Sequence, residues 1–382
     1  MSIFGGGRTN ATITLNSSVS LSEKYNDNLF FSRLNREADY TTTVNSRLTL
    51  TFTSQNLIFS GSYLGSGEIQ ARHSEANRYR QTASFEIDLP FLSRQIKGVD
   101  VKITENVTYT PELPAFETRE GIQSSVSNQT LTNEGIQVGR TDTFRNHAGI
   151  TASYSWSQRM NTTLSYDNTI TRYEAEELKD STIHGFGLAS GYQFFRRTGG
   201  TASYRATLTD FDRSEKELSH QFSMGAKHRL TSTLSFNGDL GVAKASSGPT
   251  RLTVNGGLSK GFKNGNIKFR YNSGIGSGGG VTTTSTFSKR MTGHGTWDMG
   301  QNLSASLNFG YGRNKTLSGQ VFKTTTYDAG AGVTVVLLRW LNARLDYSYL
   351  NQKADGFGAV EAERNVIILS LTASAPGWRI AK

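Results

Sequence analysis

Leu303-Ser304-Ala305-Ser306-Leu307-Asn308-Phe309-Gly310-Tyr311-Gly312 carries an apolar side chain at every odd position and Ser, Asn or Gly at every even one. Successive side chains of an extended chain point to opposite faces, so this period of two makes one apolar face and one hydrated face. A helix would need apolar residues at i+3 and i+4, which the stretch does not supply. Leu341, Ala343, Leu345, Tyr347 and Tyr349 stand in the same way against Asn342, Arg344, Asp346 and Ser348. So do Ala11, Ile13, Leu15, Val19 and Leu21 against Thr12, Thr14, Asn16, Ser20 and Ser22.

Run length separates membrane from soluble β structure. Strands of soluble sheets usually have about 5–6 residues, whereas a tilted strand crossing a bilayer needs roughly 9–11. Here the alternation lasts about ten to fifteen residues at a time. The runs fall near 11–25, 41–54, 57–70, 78–89, 98–110, 141–157, 160–173, 181–196 and 200–212. They continue near 217–230, 232–245, 249–262, 265–277, 284–298, 302–314, 322–337, 341–352 and 362–375. The expected fold is all-β, a transmembrane antiparallel up-and-down β-barrel of about 18 strands, the even count that bacterial single-chain barrels use. Residues 11–376 read as one barrel, 1–10 as an N-terminal periplasmic extension and 377–382 as a C-terminal tail.

Connections alternate in length as well. Short turns such as Ser54-Gln55-Asn56 and Lys263-Asn264-Gly265 interleave with longer polar stretches at 26–40, 111–140, 174–181, 211–217 and 353–361. Barrels of the outer membrane keep short turns in the periplasm and long loops outside, which puts both termini in the periplasm. The 111–140 stretch reads equally as an inward-folding constriction and as a mobile external loop. Tyr and Trp fall mostly near segment ends, where an aromatic girdle would sit, although β-propensity alone also enriches them in strands. Glu105 breaks the pattern by lying on the apolar face of Val101, Ile103, Val107 and Tyr109, at an interface or after a one-residue slip of register.

Composition agrees with a wall that has two kinds of face. The 382 residues include no Cys, 5 Pro, 40 Gly, 21 Phe and 15 Tyr. Without Cys there is no disulfide framework, Cys-ligated metal, c-type haem attachment or thiol nucleophile. Charged residues make up 19% of the chain, below the usual ~25%, and Ser, Thr, Asn and Gly fill the difference. Met1-Ser2-Ile3-Phe4-Gly5-Gly6-Gly7 has neither a basic n-region nor an apolar h-region. The chain is therefore either cytosolic or a mature form, and the periodicity favours a mature bacterial outer-membrane protein.

The formal charge is +10, from 41 Lys and Arg against 31 Asp and Glu. Alternation assigns Arg47, Arg78, Arg80, Lys102, Arg145, Arg205, Lys227, Arg229, Arg251, Lys268, Arg270 and Arg344 to the hydrated face. Glu86, Asp88, Asp100, Asp167, Asp239, Asp328 and Asp346 lie there too. A lumen lined this way is wet and net basic, and it would concentrate anions in a manner that weakens with salt. Alternatively, facing Arg and Asp side chains brace the wall without selecting anything. Eighteen tilted strands close into a wall roughly 35 Å across, wide enough for a water channel unless plugged.

Chemical motifs are few. Gly274-Ile275-Gly276-Ser277-Gly278-Gly279 satisfies G-x-G-x-x-G, but Val281-Thr282-Thr283-Thr284 follows instead of a helix, so a loop tip is the better reading. Six His residues lack H-x-x-x-H spacing. Ser219 and His220 point to opposite faces of a strand and cannot form a nucleophile–base pair. Asp210, Asp212 and Glu215 read as a solvated turn, with no EF-hand spacing for a cation. Basic residues are spread through the chain and form no stripe for nucleic acid. No catalytic residue, metal or cofactor is expected.

Val19-Ser20-Leu21-Ser22-Glu23-Lys24-Tyr25-Asn26-Asp27-Asn28-Leu29-Phe30, followed by Asp39-Tyr40-Thr41, resembles the opening of the outer-membrane proteins grouped as the second β-barrel porin family. In that family a Tyr-x-Asp-Asn turn follows the first strand and an acidic residue opens the second. The match covers about thirty residues. It implies a passive outer-membrane conduit tied to exopolysaccharide secretion, with outer-membrane lipid, lipopolysaccharide and periplasmic secretion components as partners. A terminal Phe or Trp is expected of such chains, whereas here Trp378 stands four residues before the end, with Arg379-Ile380-Ala381-Lys382 behind it. The leading expectation is thus a channel for an anionic polysaccharide or other anionic solutes. The alternative is a sheath around a periplasmic multihaem cytochrome. A soluble β-rich adhesin would need a fixed-period self-repeat, which is not found, and a barrel enzyme would reveal itself by consuming a lipid or peptide.

Overall fold

Each alternating segment gains its backbone partners from the segments beside it. In lipid that pairing is obligatory, because no water is present to satisfy a free N–H or C=O. A computed structural model of the protein describes residues 11–112, 140–176, 178–212, 215–276, 284–319, 322–356 and 360–381. Its strands are β1 Thr12–Asn26, β2 Asp39–Thr53, β3 Ile58–Gln70, β4 Arg78–Asp88, β5 Val99–Glu112 and β6 Arg140–Ser157. There follow β7 Met160–Tyr173, β8 Ser181–Phe195, β9 Thr198–Phe211, β10 Glu217–Arg229, β11 Leu234–Ala245 and β12 Arg251–Phe262. The last are β13 Gly265–Gly276, β14 Thr286–Asp298, β15 Leu303–Thr316, β16 Lys323–Leu338, β17 Leu341–Asp355, β18 Val360–Ser374 and the short β19 Trp378–Ala381.

From β1 to β18 every strand runs antiparallel to its sequence neighbour, and β18 returns to β1 over Ser18↔Ser374 to Asn26↔Val366. The result is a closed antiparallel barrel with 18 strand positions. All eighteen alternating segments become strands, with ends within three residues of the sequence reading. Residues 377–382, expected as a tail, contain β19, which pairs with β1 from Thr12↔Ala381 to Leu15↔Trp378. It occupies the same wall position as β18. Pro376 has no N–H to give the ladder, so the strand breaks there and resumes after Gly377.

The apolar face points outward. Leu307 is 65% exposed and Leu345 51%, although both lie mid-strand, as expected of side chains that meet lipid rather than a core. All four Trp residues are outward or in turns at the short-turn end, where Tyr154 meets Trp156 edge-on at 4.6 Å and Phe262 stacks with Trp297 at 6.3 Å. At the long-loop end Tyr25 pairs with Tyr40 and Tyr311 with Tyr327, each at 5.2 Å. Glu105 does sit on the outward face, opposite Phe85 and Ala148, and the Asn146 amide donates to its carboxylate. No slip of register occurs there.

One short-turn connection contains a helix that alternation could not signal. In α1, Pro90–Gln95, Pro90 occupies the first turn, where its missing N–H costs nothing. The Arg94 guanidinium donates to the Gln55 carbonyl and to Asn56 Oδ1, tying α1 to the β2–β3 turn. The connection closes at Gly98, whose φ of +90° suits glycine, and Ser155 N–H donates to the Gly98 carbonyl at 2.8 Å. A Cβ at this position would lie 2.8 Å from the Ser155 carbonyl oxygen. Gly98→Ala is therefore expected to destabilise the barrel by about 1–2 kcal/mol, read as a lower thermal midpoint in detergent.

Candidate lumen and its constricted mouth

Because paired residues share a face, the outward side chains fix which residues line the lumen. Arg47, opposite Ser18, is inward, and the same test places the other eleven basic candidates on the inward face. Their surroundings differ. Arg80 lies 3.7 Å from Glu68, Lys102 2.8 Å from Glu86 and 3.4 Å from Asp88, and Arg344 2.7 Å from Asp346. Arg205 meets Asp167 at 2.5 Å, and Arg78 reaches Asp142 at the rim at 3.5 Å. These five brace the wall. Arg145 and Lys268 are also engaged with neighbours. Arg47, Lys227, Arg229, Arg251 and Arg270 are exposed and form no ion pair among the described residues.

Four of the candidates group on one arc. Lys227 and Arg229 on β10, with Lys268 and Arg270 on β13, face the lumen in the half of the barrel nearer the short turns. The acid inside that part of the arc, Asp239 on β11, accepts a hydrogen bond from Asn255 Nδ2 at 2.8 Å. The arc is net positive and wet, the condition for an anion to gain from it without shedding all of its water.

The half nearer the long loops is packed with polar groups. Thr41 donates to Gln70 at 2.6 Å, Asn314 to Thr324 at 3.0 Å and Thr326 to Gln352 at 3.3 Å, with all six side chains buried. Two inward folds of the mouth cover this half. In the 27–38 connection, Asn28 Nδ2 donates to the carbonyls of Ser32 at 2.7 Å and Glu363 at 2.8 Å. Phe31, at a φ of +51°, then packs on Leu350 and Ala362, which lie on the lumen side of β17 and β18. On another part of the rim the Glu217 carboxylate accepts from the Ser247 hydroxyl and, at 2.7 Å, from Ser285 N–H. β10 and the start of β14 lie four wall positions apart, so the 246–250 connection and Ser285 reach across the mouth. Leu317 N–H joins them by donating to the Ser285 carbonyl at 3.0 Å.

Sequence reading missed both folds, because an inward loop has no period. Most of the 111–140 stretch lies outside the described residues. Asp210 in the acidic turn is paired with Lys216 at 3.0 Å. Ser219 and His220 do lie on opposite faces, with His220 bonded to the Tyr204 hydroxyl at 2.7 Å.

The rim of the 27–38 fold holds a titratable clamp. His73 Nδ1 lies 2.8 Å from the buried Asp39 carboxylate, and Nε2 lies 2.7 Å from Glu37. The hydrogen bond to Asp39, helped by Glu37, raises the imidazole above its ordinary 6.5. With the folded value above the unfolded one, the clamp stabilises fully below the unfolded value and is lost as pH rises through the folded value. The gap in thermal midpoint between the wild type and His73→Gln is expected to be widest near ~pH 6 and to shrink by ~pH 9.

A closed barrel with an outward apolar band and a polar lumen has the fold of outer-membrane β-barrel porins. Among solved structures the chain is similar to Pseudomonas aeruginosa OccK2 (OpdF), at 11% identity and a TM-score of 0.50, over 94% of this chain and 98% of that one. A BenF-like porin from Pseudomonas fluorescens Pf-5 is similar at 12% identity and a TM-score of 0.49, over 94% and 99% of the two chains. At these identities the likeness is one of fold. No sequence-family profile matches the chain, and no curated protein matches its sequence. The resemblance to the second β-barrel porin family therefore rests on the residues quoted for it.

Proposed function

We propose that the chain is a passive channel of the bacterial outer membrane, with no enzymatic step, that admits anionic solutes through a basic lumen. The observation that carries this reading is the β10–β13 arc, where Lys227, Arg229 and Arg270 face the lumen without ion-pair partners among the described residues. On this reading the preferred solutes are acidic saccharides, of which a secreted exopolysaccharide is the polymeric case. The two inward folds at the mouth favour short or extended chains over bulky ones. A solute entering from outside meets the hydrogen-bonded mouth first and the positive arc second, and a secreted polymer meets them in the reverse order.

Planar-bilayer recording tests the proposal. The reversal potential in a salt gradient is expected to indicate anion preference. That preference should fall between ~0.1 M and ~1 M salt, as the screening length contracts from about 10 Å to about 3 Å. Replacing Lys227, Arg229 and Arg270 together by Gln should move the reversal potential toward cations while leaving the barrel folded. An unchanged potential in that variant would remove the arc from the explanation, and a complete lack of conductance in the wild type would favour a plugged barrel or the cytochrome sheath.

A further inference from the structure

The outward face carries a charge cluster that the channel does not use. We propose that Lys289, Arg313, Lys315, Lys323 and Lys353, at the long-loop edge of β14–β17, bind the phosphate-bearing headgroup of an outer-leaflet glycolipid of the lipopolysaccharide type. This rests on the reading of the chain as an outer-membrane barrel.

Orientation comes first. Lys289, Arg313, Lys315 and Lys353 are exposed, and they alternate with buried Ser288, Asn314, Thr316 and Gln352, so they continue the lipid-facing series of Met291, Tyr311 and Tyr347. Height comes second. A strand rising ~3.3 Å per residue and tilted ~40° climbs about 2.5 Å per residue along the barrel axis. Lys289 is eight residues from Trp297 on β14, or ~20 Å above the Trp end. Lys315 stands opposite Phe287, two residues further on, at ~25 Å. The apolar band of such barrels is ~25 Å tall, so the cluster lies at its upper edge, level with headgroups.

Charge supplies the third argument. Lys289 is directly opposite Arg313, and Lys315 is directly opposite Lys323. Like charges facing each other across a ladder are destabilising, and the placement becomes favourable when an anion sits between them. Lys323 lies 3.4 Å from Asp355 and Lys353 3.6 Å from Glu361, both exposed. Lys289, Arg313 and Lys315 have no anionic partner among the described residues. On the β1–β6 side the outward edge presents Glu23, Tyr25, Tyr40, Tyr79, Tyr109 and Asp142, which are acidic or neutral. Around β7–β11 that edge carries Arg172 and Lys216, each beside an aspartate at 3.4 and 3.0 Å, and an exposed Lys244, so the cations are densest on β14–β17. The Arg313 guanidinium can grip a phosphate with two parallel hydrogen bonds, while the acyl chains lie along Met291, Tyr311 and Tyr327 just below.

The test titrates the detergent-purified barrel with lipid A, with dephosphorylated lipid A and with inorganic phosphate, counting bound lipid by native mass spectrometry. Lipid A is expected to bind, the dephosphorylated lipid to bind much more weakly, and inorganic phosphate to leave lipid A in place. Replacing Lys289, Arg313 and Lys315 together by Ser should weaken lipid A binding on the order of 100-fold, at roughly fivefold per cation. Lys227→Ser with Arg229→Ser, in the lumen, should leave it unchanged, and circular dichroism checks that each variant is folded. Equal binding of the two lipids, equal binding by the triple variant, or displacement by inorganic phosphate would each overturn the assignment. Failure to insert into phosphatidylcholine vesicles would overturn the outer-membrane reading and this proposal with it. Insertion without preference for lipid A would overturn only the proposal.

Discussion

The hydrogen-bonded meeting of β1 with β18 is the constraint on which the rest of the molecule depends. An open sheet with this much exposed apolar surface would leave two rows of unpaired amides and carbonyls in lipid, each costing several kcal/mol. Closure removes both rows at once. It also defines an inside and an outside, and every later property follows from that division: lipid-facing aliphatics and aromatic girdles on one side, amide, hydroxyl and charge on the other.

Within the wall, charge serves two purposes that a count of residues cannot separate. Arg80, Lys102 and Arg205 sit beside carboxylates of other strands and tie those strands together, while Arg344 pairs with Asp346 on its own strand. Lys227, Arg229 and Arg270 have no such neighbours among the described residues and face the lumen. Lys289, Arg313 and Lys315 form a third group, on the other side of the wall. The formal charge of +10 is therefore three populations with different partners.

How much of this was legible from residues alone depended on periodicity. Strand number, boundaries and facing follow from a pattern of period two that the barrel must obey at every turn. The 284–298 segment, where Thr284 and Thr286 give little apolar contrast, still forms β14, which is paired in unbroken register with β13 and β15. Helix α1 was missed because six residues are too few to show a helical period, and β19 because Pro376 interrupts the ladder. The mouth was the least legible part. Phe31 and Glu217 act through contacts with residues far away in sequence, Leu350 and Ser285, and no local pattern announces such partners. Asp39 was visible as the acid that opens the second strand, yet its role as the buried seat for His73 was not.

The interruption at Pro376 has a consequence for how the chain becomes a barrel. β1 and β18 are the most distant pair in sequence, so their ladder has the largest loop-closure entropy to overcome and is expected to form last. The C-terminal side of that ladder comes in two pieces, Val366 to Ser374 and Trp378 to Ala381, both docking on one continuous β1. A slip of one residue in either piece would turn its lipid-facing side chains into water. Two short docking segments on a common template must therefore agree on register, which makes the final zippering a proofreading step.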